Sequence, residues 1–184
     1  MVYFIADTHF GHENIIKLAN RPFSSVEEMN QKLIENWNRK IKGNDSVYIL
    51  GDMFFRCKES ENIENILSQL NGKKFLLVGN HDSSWLSNVD ASKLFISVNG
   101  LLETSIGDVG ATLCHYPLVT WKHQKKTYMI HGHIHADTNS DYWHILCSNP
   151  RILNAGVDIN NFEPVTLEEL IRNNNIFKEQ HKND

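Results

Sequence analysis

An excess of positive charge, paired cysteines and long apolar runs are what this chain of 184 residues lacks. Lysine and arginine number 18 against 22 acidic residues, for a net charge of −4. That balance excludes the broad basic face of a duplex-DNA binder. Any affinity for phosphate must therefore be local, and a bound metal ion can supply it. The three cysteines, Cys57, Cys114 and Cys147, are odd in number and share no CxxC spacing. No disulfide framework is expected, and they read as reduced, buried residues of a cytoplasmic protein. The chain enters an apolar strand within two residues, so neither a signal peptide nor a membrane-spanning helix is expected. There is no internal repeat, linker or low-complexity segment. What remains is the composition of a soluble globular protein, 41% apolar and 22% charged, with histidine as the outlier at ten residues. The length fits one domain, expected over residues 1–173, followed by a polar tail at 174–184.

The richest stretch is Lys73-Lys74-Phe75-Leu76-Leu77-Val78-Gly79-Asn80-His81-Asp82. Four apolar residues after a turn predict a buried strand, and the chain then presents an amide, an imidazole and a carboxylate in succession. Open α/β sheets place their ligands at such strand ends. The same pattern recurs. Val2–Ala6 runs into Asp7-Thr8-His9, Ser46–Leu50 into Gly51-Asp52, Thr112–Cys114 into His115, and Tyr128–Ile130 into His131-Gly132-His133-Ile134-His135. Between the first three strands lie a short helix from Glu13 to Asn20, a long amphipathic one opened by Ser25-Val26-Glu27-Glu28, and a third over Glu59–Leu70. The order β-α-β-α-β predicts parallel pairing. From Leu94 to Tyr116, glycines divide short strand-like segments, which predicts hairpins in a second, more antiparallel sheet. Arg151–Ala155 reads as a further strand, and Thr166-Leu167-Glu168-Glu169 caps a last short helix.

Five strand ends thus carry Asp7, His9, Asp52, Asn80, His81, His115, His133 and His135. Carboxylate and imidazole without thiolate suit a borderline divalent ion, and the histidines exclude an all-oxygen calcium site. With His81 set aside, the set is too large for one four-coordinate ion and fits two ions sharing a carboxylate. Such a pair clamps both oxygens of an in-line displacement and generates hydroxide at neutral pH.

Asp7-x-His9, Gly51-Asp52, Gly79-Asn80-His81-Asp82, His115 and Gly132-His133-x-His135, in that order, resemble the signature of the calcineurin-like metallophosphoesterases. The resemblance is closest to a small bacterial and phage branch, through Asp7–Ile16, Arg21-Pro22-Phe23 and Asn154-Ala155-Gly156-Val157-Asp158. It implies a four-layer α-β-β-α sandwich of two mixed β-sheets flanked by helices. It also implies two divalent transition-metal ions, manganese foremost, with iron, zinc, cobalt or nickel as alternatives. One ion would be held by Asp7, His9 and His135 and the other by Asn80, His115 and His133, with Asp52 as the bridge and His81 as acid or transition-state donor. Asn80, Arg56 and His12 are candidate substrate contacts. Phosphoprotein phosphatases of this superfamily carry a second Asp that orients the histidine, where this chain has Phe55. The orienting partner of His81 is therefore left open, with Asp82 only a guess, and a protein phosphatase is not expected.

The implied activity is hydrolysis of a phosphate ester, a phosphodiester first and a phosphomonoester second, on a small or nucleotide-like substrate, with no membrane partner. Two other readings stay open: a non-catalytic binding protein of this fold, or a mononuclear zinc hydrolase on His131, His133 and His135. Singly, Asp7 and Asp52 are ordinary loop carboxylates or helix caps. His131, His123 and His144 read as packing or surface residues, Lys122–Lys126 as a solvated loop, and Cys114 as a small core residue.

Overall fold

The computed structural model describes every residue except Lys58. Among those residues, strand β1 (Val2–Ile5) leads through a helical turn α1 (Ile15–Leu18) and helix α2 (Val26–Lys40) to β2 (Ser46–Ile49). Helix α3 (Ser60–Gln69), β3 (Lys73–Leu77), turns α4 (Ser83–Leu86) and α5 (Ala91–Leu94), and β4 (Ser97–Asn99) follow. The second half holds β5 (Leu101–Ile106), β6 (Val109–Cys114), β7 (Tyr128–His131), α6 (Trp143–Ser148), β8 (Ile152–Asn154) and α7 (Leu167–Gln180).

The strands form two four-stranded sheets, β1-β2-β3-β4 and β5-β6-β7-β8. Alternation along each strand feeds two cores at once. On β1 and β2, Tyr3, Ile5, Val47 and Ile49 face α2 and α3, where Met29, Leu33, Trp37, Ile63 and Leu67 complete an outer core. The intervening Phe4, Ala6 and Leu50 meet Leu113, Ile130 and Leu153 of the second sheet. That sheet's far face buries Cys114, Met129 and Ile152 under Trp143 and Leu146 of α6 and Phe177 of α7. The result is a four-layer α-β-β-α sandwich.

Two expectations are corrected. The first sheet is parallel throughout rather than mixed, and the second holds one antiparallel pair, β5–β6, beside two parallel ones. The Leu94–Tyr116 region is not all hairpin, because β4 joins the first sheet beside β3 and the chain changes sheet at Gly100. Apolar alternation fixes which faces a strand buries but not the direction of its neighbour. The intervening turns α4 and α5 supply the crossover that parallel pairing needs.

The last helix is also longer than expected, running to Gln180 through the segment read as tail. Its polar residues are structural. Asn174 is buried, and its side chain accepts from the Asn154 amide (2.7 Å) and donates to the Asn154 carbonyl (3.0 Å). Asn154 in turn donates to the carbonyl of His135 at 2.7 Å. The C-terminal helix is thereby tied to the loop that follows β7.

Candidate metal centre

Beyond Ile5 and Ile49 the chain leaves β1 and β2 together. Asp7 N–H donates to Gly51, His9 to Asp52 and Phe10 to Met53, all at 2.9–3.0 Å. On its other side Ala6 donates to Ala155, after β8, at 2.9 Å, so the ends of both sheets meet here. Alternate side chains can converge on one point only if the backbone turns sharply. Asp7, His9, Asp52, His133 and His135 all adopt φ between 50° and 73°. That left-handed region costs a non-glycine residue roughly 1 kcal/mol or more, and such strain clusters at functional sites. Close approach also demands glycine. A Cβ on Gly79 would lie 2.6 Å from the Asp52 amide nitrogen, and one on Gly51 (φ +85°) would lie 2.8 Å from the Gly79 backbone.

Two triads result. Ligand atoms of Asp7, His9 and His135 lie within 4.8 Å of one another, as do those of Asp52, His115 and His133. Asp52 Oδ2 is 3.5 Å from His115 Nε2 and 3.9 Å from His9 Nε2, so one carboxylate oxygen faces a ring of each triad. Asn80 Oδ1 is 3.0 Å from His115 Nε2, which brings the amide to the second triad. His115 Nδ1 lies 2.8 Å from the Leu50 carbonyl, and His135 Nδ1 lies 2.7 Å from the Asp158 carboxylate. When these Nδ1 atoms donate, each Nε2 lone pair is left free for a cation.

The residues fit divalent metal. Both ring nitrogens of His9 are buried and find no hydrogen-bond partner among the described residues. A satisfied core histidine would have one. Burial, with His135, Arg21 and His12 nearby, pushes His9 far below the usual imidazole range. Burial likewise raises Asp7 to about 6, against the opposing pull of His135 and His115. Imidazoles grouped around buried carboxylates form a donor set for a borderline divalent cation.

Behind the first triad lies a pair whose function sequence reasoning missed. Arg21 is buried, and its guanidinium donates to both Asp158 oxygens at 2.8 and 3.2 Å and to the carbonyls of Asp7 (2.7 Å) and Thr8 (3.0 Å). Asp158 then holds His135. The signal was present, since Arg21 and Asp158 both lie in the segments that mark the branch, yet nothing in their local sequence gave them a partner. Arg21→Met is expected to weaken metal binding at this triad by about 10–100-fold, the usual result of removing support behind a ligand. Titration of the metal-free protein with Mn²⁺ would measure it, and unchanged affinity would contradict the assignment.

The remaining predicted residues fall as follows. His81 lies at the mouth, its ring 3.9 Å from Asp52 Oδ2 and its backbone N–H donating to Asp52 Oδ1 at 2.9 Å. Asp82 is not its orienting partner. That carboxylate is buried and accepts from the amides of Asp52, Met53 and Gly79 and from Trp85 Nε1 at 2.7–2.9 Å, stapling the two loops together. In place of a carboxylate, Phe55 meets the His81 ring edge-on at 4.9 Å. Phe55 also stacks on His12 at 3.6 Å. His12 is mostly buried, with Nδ1 unpartnered among the described residues, and burial with His81 and Arg21 nearby lowers it to about 4. Arg56 is exposed, its guanidinium 5.1 Å from the centre of the Phe55 ring. His131 is buried with Nδ1 at its neighbour's carbonyl, outside both triads. His9, His12, His81, His133 and His135 line one open cleft of about 750 Å³.

A family model described as calcineurin-like phosphoesterase matches residues 1–181. The uncharacterized protein MJ1445 of Methanocaldococcus jannaschii is 36% identical over 173 residues, covering 93% of this chain and 89% of that one. The gene 66 protein of Mycobacterium phage L5 is 28% identical over 160 residues, 73% of this chain and 77% of its own. Among solved structures, the Aquifex aeolicus protein of unknown function AQ665 superposes with a TM-score of 0.73 at 26% identity, covering 94% of this chain and 98% of that one. The relatives thus extend from phage to an archaeon. Among the described residues, no helix is long and apolar enough to cross a membrane.

Proposed function

The chain belongs to the calcineurin-like phosphoesterase family, hydrolases of phosphate esters, and from that premise we propose that it is a two-metal phosphodiesterase. The observation that carries the reading is the pair of triads with Asp52 between them and His81 at the mouth of the same cleft. Asp7, His9 and His135 would hold one divalent ion and Asn80, His115 and His133 the other, with Asp52 available to both. When bound, the ions supply Lewis acidity and a nucleophilic hydroxide at neutral pH. The protein's own part is to fix donors and proton. Asp158 and the Leu50 carbonyl hold His135 and His115 in the tautomer that ligation requires. The His81 N–H bond to Asp52 sets its ring beside the shared carboxylate, where the imidazole can protonate a departing oxygen. That ring stays accessible, with 39% of its side chain exposed.

Chelation followed by reconstitution with Mn²⁺ should restore two ions per chain and turnover of activated diesters above that of the matching monoesters. One ion, with Asn80 and His115 unbound, would return the site to a mononuclear reading. Preference for monoesters would make it a phosphomonoesterase, and two ions without turnover of either would make it a binding protein.

A further inference from the structure

Beside the metal centre lies a second hollow of different chemistry. Its walls are Tyr116, Pro117, Val119, Tyr142, Ile145 and Leu146, with His133 also in the lining, and it encloses about 310 Å³. Three of these side chains are open to solvent in spite of their size, Tyr116 at 45%, Val119 at 61% and Tyr142 at 42%. Apolar surface grouped in this way beside a polar site marks recognition rather than packing. The hollow adjoins the site through two shared residues. His133 and Tyr142 each line both it and the histidine-lined cleft. The Tyr116 ring stands edge-on to His133 with centroids 4.7 Å apart, one step from His115.

Resting on the diesterase reading above, we infer that this hollow is a subsite for a planar apolar substituent of the substrate, an aryl ring or nucleobase-like heterocycle, on the side of the phosphate that is retained. The orientation follows from His81, which lines the open cleft and not the apolar hollow. A proton donor must face the oxygen that departs, so the leaving group occupies the cleft. The other substituent is then directed past His133 toward Tyr116 and Tyr142. The product released is a monoester that still carries the planar group. Flat rings gain by stacking on or standing edge-on to tyrosine as well as by leaving water.

Phenylphosphonate and methylphosphonate imitate that product with and without the ring, and neither can be hydrolysed at phosphorus–carbon by this chemistry. Calorimetry on the Mn²⁺-loaded protein should find phenylphosphonate bound about tenfold tighter, the gain expected of one buried ring. Ile145→Ala, at a side chain that lines the hollow and not the cleft, should reduce that ratio while leaving methylphosphonate affinity in place. Val119→Ser, at an exposed position, serves as a second variant free of folding risk and should reduce it in the same direction. A ratio near one in the wild type, including failure of both probes to bind, overturns the subsite, as do variants that weaken both probes alike. A clear ratio in a protein that cleaves no diester leaves the subsite standing and removes the diesterase reading instead.

Discussion

Asp52→Asn is expected to lower metal content at both positions and to cut phosphoester hydrolysis by more than about a hundredfold, since losing groups one step behind a ligand already costs about 10–100-fold. One Asp52 oxygen faces His115 at 3.5 Å and His9 at 3.9 Å, so the two triads share its charge. A neutral amide offers one acceptor oxygen and an NH₂ group that a cation repels. The fold should survive, because the amide oxygen can still accept the His81 N–H, and the loops remain stapled by Asp82. Elemental analysis after reconstitution, with thermal unfolding in chelator as the control for folding, measures both claims. Departure of a single ion would deny the bridging role.

His81→Ala separates chemistry from metal binding. The variant should keep both ions, because neither triad includes the His81 ring and the backbone bond to the Asp52 carboxylate does not need the side chain. A diester with an alkyl or nucleoside leaving group needs a proton as it departs, and general-acid help of this kind is worth about 10²–10⁴-fold. A nitrophenyl diester leaves as a stable anion and should lose far less. Misfolding or metal loss would depress the two substrates equally, so the ratio of their losses is the measurement. Equal losses with both ions in place would mean that His81 holds the phosphate rather than donating a proton. A missing ion would mean that it is a ligand.

The metal-centre candidates were legible because their code is local. Each follows a short apolar strand, and parallel strands deliver their ends to one edge of a sheet. Asp7, His9, Asp52, His115, His133 and His135 are brought together as that logic implies. Arg21 and Asp158 were visible as marks of a branch but not as a pair, since their contact spans 137 residues and no periodicity reports it. The role of Asp82 stayed open for a related reason. Its neighbour His81 suggested a dyad, whereas its oxygens are consumed by backbone amides from two loops. The C-terminal helix was cut short because Asn173-Asn174-Asn175 looks like a solvated tail, and only the tertiary bonds to Asn154 and Asn160 explain asparagines in a helix. Likewise β4 could be placed in a sheet only by its pairing with β3, which apolar alternation does not encode.

The left-handed backbone at Asp7, His9, Asp52, His133 and His135 bears on how this protein would respond to selection. At each of these positions glycine would relieve conformational strain of roughly 1 kcal/mol, so without metal the candidate ligands carry a backbone cost that their side chains must offset. Metal reverses that pressure, because an ion that binds only the folded chain adds stability by mass action. Laboratory evolution toward heat resistance would therefore run in opposite directions according to the medium. With chelator present it would tolerate loss of these five residues, and with Mn²⁺ in excess it would select to keep them.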